Sequence, residues 1–271
     1  MAGEGNDASP SGFERKLVER GKVTLDVLIG GSGPPIVLLP SLGRAAADFG
    51  PIAVSLVQAG FCVLCPEPRG IGRSRGPAYD DLHDCAADIA AVIEAEAREP
   101  AFVVGHAFGN RVARMLASDR GDLVRAVALI AANVGKAPSP PQVRAAIRTS
   151  ADPQAPEAER IAALSFAFFA PGNNPRPWLS GWYPEVLAAQ RVAGDRTSRE
   201  EDYAAGGKPV LYLQPDHDPL AHVEDAENFR RELGERVTVI VIPRSSHAAI
   251  AEQPRFISDA LISYARGLWA P

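Results

Sequence analysis

The 271 residues suffice for one large α/β domain with a sizeable core and do not require a second. Hydrophobic residues make up 46 % and charged residues 23 %, which points to a soluble globular chain rather than a disordered or fibrous one. The net charge of −5 argues against nucleic acid as the main partner, because phosphate recognition needs a concentrated basic face.

Residues 1–12, rich in Gly, Ala, Asp, Asn, Ser and Pro, read as a disordered tail without the apolar stretch of a signal peptide. Lys16 to Arg20 and Val23 to Ile29 are β-rich runs around Gly21-Lys22, a hairpin signal. After the turn cluster at 30–35, Ile36-Val-Leu-Leu39 is the continuous apolar run of a parallel strand covered on both faces. A helix is expected from about Ala46 to Gln58, then a strand over Phe61–Cys65. The basic stretch Arg69-Gly-Ile-Gly-Arg73-Ser-Arg75 reads as a loop. Its Gly70-Ile-Gly72 is no dinucleotide fingerprint, since Gly76-Pro77 follows instead of a helix opening.

Asp80 or Asp81 can cap a helix to about Ala97, with Leu82, Cys85, Ile89, Val92, Ile93 and Glu96 on one stripe. Ala101–Val104 is a strand, Phe108 to Ser118 a helix with Val112, Met115 and Leu116 as core, and Val127–Ile130 the next strand. The alternation stops after Asn133; residues 137–206, with Phe166, Phe168, Phe169, Trp178, Trp182 and Tyr183, read as mainly helical insertions. It resumes with a strand at Pro209–Leu213, a helix over 223–233, a strand at Val237–Ile242 and a helix over 251–267. Such repetition implies a mainly parallel sheet with helices on both faces.

Cys62 and Cys65 form a C-x-x-C pattern within a strand, where residues three apart face opposite sides; with Cys85 they read as small core residues. His83, His217 and His222 have no evident ligand set, so neither a metal nor a cofactor is expected. No run of about 18 apolar residues suggests a membrane span, and the expected compartment is the cytoplasm. The expected partner is a small-molecule substrate, with the oligomeric state left open.

In Phe102-Val-Val-Gly105-His106-Ala107-Phe108-Gly109-Asn110 an apolar strand runs into glycine and then into a helix. That is the context of the nucleophile elbow G-x-S-x-G, with Ala107 at the central position. Further pieces follow in order: Cys65-Pro-Glu-Pro-Arg69-Gly-Ile-Gly-Arg-Ser74 after a strand, Gln214-Pro-Asp216-His-Asp218-Pro219 after another, and Ser245-Ser-His247 with Glu252-Gln-Pro254 after the last. Over residues 16–267 the chain thereby resembles the α/β-hydrolase superfamily, including a bacterial hydrolase-like subgroup with alanine at the elbow.

The resemblance implies one α/β domain over 13–271, with an eight-stranded, mainly parallel sheet and a helical lid insertion at about 137–206. It implies His247 as general base and Asp218, with Asp216 as runner-up, as the acid that orients it. The backbone N–H groups of Leu42 and Phe108 would form the oxyanion hole. Ser41 is either a turn serine or an alternative nucleophile. His106 is a packing and hydrogen-bonding group, counted with Phe169, Trp178 and Trp182 as candidates at the substrate site, though many of the aromatics would simply hold the lid on the core.

Alanine cannot attack a substrate. Three readings remain: an introduced replacement of serine, a natural alanine with water or Ser41 as nucleophile, and a binding module on a hydrolase fold. The first two imply hydrolysis of a small, apolar or aromatic ester, lactone or amide.

Overall fold

The computed structural model describes residues 12–135 and 140–270. The expected tail, apart from Gly12, and the start of the expected insertion at 137–139 fall outside the described residues.

The hairpin forms as expected, β1 (Phe13–Arg20) pairing antiparallel with β2 (Val23–Gly30) around Gly21, whose φ of 60° suits glycine. Then come β3 (Pro35–Leu39), α1 (Gly50–Gln58), β4 (Cys62–Pro66), α2 (Leu82–Glu96), β5 (Ala101–His106), α3 (Phe108–Asp119) and β6 (Val124–Ile130). A helical stretch follows: α4 (Pro141–Ala151), α5 (Glu157–Ala167), α6 (Pro184–Arg196) and α7 (Arg199–Tyr203). The chain closes with β7 (Val210–Pro215), α8 (Val223–Leu233), β8 (Val237–Ile242), α9 (Ala249–Glu252) and α10 (Pro254–Leu268). Among the described residues these strands form one eight-stranded sheet in the order β1-β2-β4-β3-β5-β6-β7-β8. Only the β1–β2 and β2–β4 pairs are antiparallel.

Strand periodicity sorts the core into two layers. Val37, Leu39, Val103, Val127 and Leu129 point to the face covered by α2, α3 and α8. Ile36, Leu38, Phe102, Val104 and Ala128 point to the face covered by α1 and α10. Cys62 and Cys65 obey the same rule, packing on opposite faces. Asp81 caps α2, its side chain accepting from His83 N at 2.9 Å and Asp84 N at 3.3 Å. Val112, Met115 and Leu116 of α3 are buried in the first layer.

The helix expected over 251–267 is broken. Gln253 leaves the helical region at φ −132°, ψ 50° because it precedes Pro254, separating α9 from α10. The helix expected from Ala46 likewise opens as a 3-10 turn, Ala46–Phe49, before α1.

Candidate active site

β5 is buried throughout and delivers the chain to Ala107, which turns at φ 48°, ψ −112° before α3 begins. Two glycines permit this turn. A Cβ on Gly105 would lie 2.3 Å from Gly109 O and 2.4 Å from Asn110 N; one on Gly109 would lie 2.3 Å from Leu39 O. All three contacts are with backbone, which cannot swing aside. Ala107 N donates to Ile130 O at 2.9 Å, and Ala107 O accepts from Asn110 N at 3.1 Å and from the Asn110 side chain. Arg114 Nε fixes Asn110 from behind, donating to Oδ1 at 3.1 Å.

The loop after β7 brings Asp218 to His247. Asp218 Oδ1 accepts from Leu220 N at 2.7 Å and Ala221 N at 3.1 Å, leaving Oδ2 to accept from His247 Nδ1 at 2.8 Å. Donation from Nδ1 leaves Nε2 as the ring's acceptor. Asp216 is engaged elsewhere, accepting from Arg244 N at 2.9 Å and Ser245 N at 3.0 Å and meeting His217 Nδ1 at 2.6 Å. Burial pushes its pKa up, but these hydrogen bonds outweigh that and hold the carboxyl below its ordinary value.

His247 is held through its backbone as well. His106 Nε2 donates to His247 O at 2.7 Å. Ser246 N donates to Glu252 Oε2 at 2.6 Å, and Glu252 Oε1 accepts from Ala170 N at 2.7 Å and Asn173 Nδ2 at 2.6 Å. Burial, against these donors, leaves the Glu252 carboxyl above its usual range. Burial also drives His106 down to about 3, with the neighbouring His247 adding to it, so the ring is neutral. Its Nδ1 has no partner among the described residues.

Residues 36–260 match the Alpha/beta hydrolase family. The chain belongs to that family. It is 34 % identical over 125 residues to 2-(acetamidomethylene)succinate hydrolase of Mesorhizobium japonicum, a match covering 46 % of this chain and 45 % of that protein. The curated relative is thus matched over less than half its length. The solved structure of an E-2-(acetamidomethylene)succinate hydrolase superposes with a TM-score of 0.69 at 25 % identity, covering 93 % of this chain and 99 % of that one. A meta-cleavage product hydrolase from Pseudomonas fluorescens IP01 superposes with a TM-score of 0.76 at 19 % identity, covering 93 % and 97 %.

Within this α/β-hydrolase fold, a cavity of about 260 Å³ opens beside the elbow, and Ala107, His247, Ser41, Leu42 and Phe108 all line it. The N–H groups of Leu42 and Phe108 make no hydrogen bond among the described residues. The Leu42 loop is pinned next door: Gly43 N donates to Gln190 Oε1 at 2.7 Å, and Gly43 O accepts from Tyr183 N at 2.9 Å. Trp182, Phe168, Ile147 and Leu220 supply much of the apolar wall.

Three expected substrate-site residues do not reach the cavity. His106 is fully buried beneath the His247 loop. Phe169 and Trp178 are buried in a satellite cluster with Phe168 and Leu164, where their rings pack edge to face. Phe168, taken in sequence only as part of an aromatic cluster, lines the cavity in their place. Sequence reasoning also missed Arg44. This buried guanidinium makes a two-point contact with Asp48 at 2.7 Å, donates to Ser180 O at 2.8 Å, and lies 4.5 and 4.8 Å from the ring centres of Trp178 and Trp182. Arg111 and Arg199 on the cavity wall were missed too; an arginine among the polar positions of a helix carries no signal for facing a cavity. Among the described residues no group of three or more His, Cys, Asp or Glu is arranged to hold a metal ion. No helix there is long and apolar enough to cross a membrane.

Proposed function

We propose that this protein is a hydrolase of a small, largely apolar acyl compound, an ester, lactone or amide, and that His247 drives the reaction by activating water. One observation carries the reading: the imidazole paired with Asp218 lines the same cavity as the Ala107 methyl and the unengaged N–H groups of Leu42 and Phe108. His247 Nε2 takes a proton from water as the water oxygen bonds to the acyl carbon. Asp218 stabilises the imidazolium so formed. The N–H groups of Leu42 and Phe108 take the developing oxyanion. The imidazolium then returns its proton to the leaving oxygen or nitrogen, and the acid departs. The methyl of Ala107, one atom shorter than a serine side chain, leaves room for the water. Residues 13–271 form one domain on this reading, and 137–206 act as a lid over the cavity. The name of the Mesorhizobium relative, a hydrolase, supports the reaction class.

Loss of the nucleophile from a comparable triad costs about a millionfold in turnover, while oxyanion hole and binding still give roughly 1,000- to 10,000-fold over water. The unaltered protein should therefore hydrolyse activated esters slowly, His247→Ala should remove that turnover, and Ala107→Ser should raise it by roughly a thousandfold or more. If His247→Ala hydrolyses the esters as fast as the unaltered protein, the reading fails.

Two specific observations favour other readings. Ser41 lines the cavity and its hydroxyl has no hydrogen bond among the described residues, so it could attack in place of water; Ser41→Ala would then abolish turnover. The absence of any nucleophile at residue 107 suits a pure binding module, which would hold ligand through long incubation without product.

A further inference from the structure

The cavity beside Ala107 is charged with one sign only. Arg111, Arg199 and the ionisable His247 line it, and among the described residues no Asp or Glu does. Arg111 is already engaged: Nε donates to Asp202 Oδ2 at 2.9 Å, and its other nitrogens donate to Gly194 O at 2.8 Å and Thr197 O at 3.2 Å. Asp202 is buried and also lies 3.5 Å from Arg114, so behind the wall one carboxylate answers two guanidinium groups. Arg199 differs. It is exposed, it lines the cavity, and its side chain makes no hydrogen bond or ion pair among the described residues.

Its helix, by contrast, is fastened at every turn. In α7, Glu201 accepts from Ser198 N at 2.8 Å and from His83 Nε2 at 3.0 Å, and Asp202 holds Arg111. Arg199 is thus an unspent guanidinium on a fixed mount at the edge of an apolar pocket.

We propose that the substrate carries a carboxylate, paired with Arg199, while its apolar body rests on Phe168, Trp182, Ile147 and Leu220. This names the substrate class for the hydrolase reading above and rests on that cavity being the substrate site. A guanidinium presents a planar fork that matches a carboxylate. Because Arg199 is exposed, the pair selects modestly, by roughly two- to fivefold in affinity.

The test is calorimetric titration with 4-phenylbutanoate and its uncharged analogue 4-phenylbutanamide. The acid should bind the unaltered protein roughly two- to fivefold more tightly at low ionic strength, and the advantage should shrink in about 0.5 M NaCl. Arg199→Gln should bind both alike, and Arg199→Lys should keep part of the preference. Equal binding of the two ligands by the unaltered protein, or a preference that survives in Arg199→Gln, overturns the carboxylate assignment and leaves the substrate cavity standing. Binding of neither ligand overturns both.

Discussion

Ala107 keeps a backbone that alanine does not favour, at φ 48°, ψ −112°. Such a conformation costs of order 1–3 kcal/mol and persists only where the surroundings over-determine it. Here they do: the hydrogen bonds to Ile130 and Asn110 hold it from outside, and the Gly105–Gly109 contact closes it from below. Replacing alanine by glycine ordinarily lowers stability by about 0.5–1 kcal/mol. At this position relief of strain offsets that loss, so Ala107→Gly should leave the unfolding free energy unchanged or raise it by about 1 kcal/mol. Urea denaturation measures this; a loss above about 1 kcal/mol would show the turn to be unstrained. The G-x-A-x-G pattern is legible in sequence because both glycines answer to backbone contacts within one motif. The division of labour between Trp178 and Trp182 is not legible. They stand four residues apart on one 3-10 turn and its exit, and nothing in that spacing says that Trp182 rather than Trp178 lines the cavity.

At the scale of elements, His83 on α2 ties three helices together, its Nδ1 to Asp119 on α3 at 2.8 Å and its Nε2 to Glu201 on α7 at 3.0 Å. The hydrogen bonds with Glu201 and then Asp119 raise its pKa from 6.5 to about 9. A histidine raised on folding stabilises fully below its unfolded pKa and loses that contribution as pH climbs through the folded one. Stability should therefore fall between pH 6.5 and about 9, and His83→Gln should flatten that part of the curve. The side chain is 43 % exposed, so the effect is small and fades with salt. Denaturation midpoints at a series of pH values test it; an unchanged slope in His83→Gln refutes the assignment. The strands are legible because a parallel strand covered on both faces must be apolar at every position, as Ile36–Leu39 and Val127–Ile130 are. The joint between α9 and α10 is less legible. Pro254 marks it, yet the apolar period runs straight through.

Across the whole molecule, α4, α5 and the turn carrying Trp178 pack as a cluster of their own beside the sheet's two layers, while α6 joins the first layer through Ala193, and buried polar contacts link that cluster to the loops of the sheet. Arg44 is the chief one. It reaches from the loop after β3 to Ser180 O and lies against the rings of two tryptophans of that segment. Removing one partner of a buried ion pair costs about 3–5 kcal/mol, since the other is left desolvated. Arg44→Met should destabilise by an amount of that order and speed amide hydrogen exchange around residues 178–183, leaving β5 and β6 protected. Uniform exchange across both regions would mean that the segment and the sheet open together. This coupling is invisible in sequence, because Arg44 and Ser180 are brought together only by the fold. The two-layered burial of the thiols has a practical consequence. Burial, the largest cause at Cys62, Cys65 and Cys85, raises all three above the ordinary cysteine range, so they are poor nucleophiles while folded. Cys85 sits under one layer of helices and Cys65 under the other. An alkylating reagent would therefore mark each only when its own layer lifts, and mass-resolved labelling would record which side of the protein comes apart first.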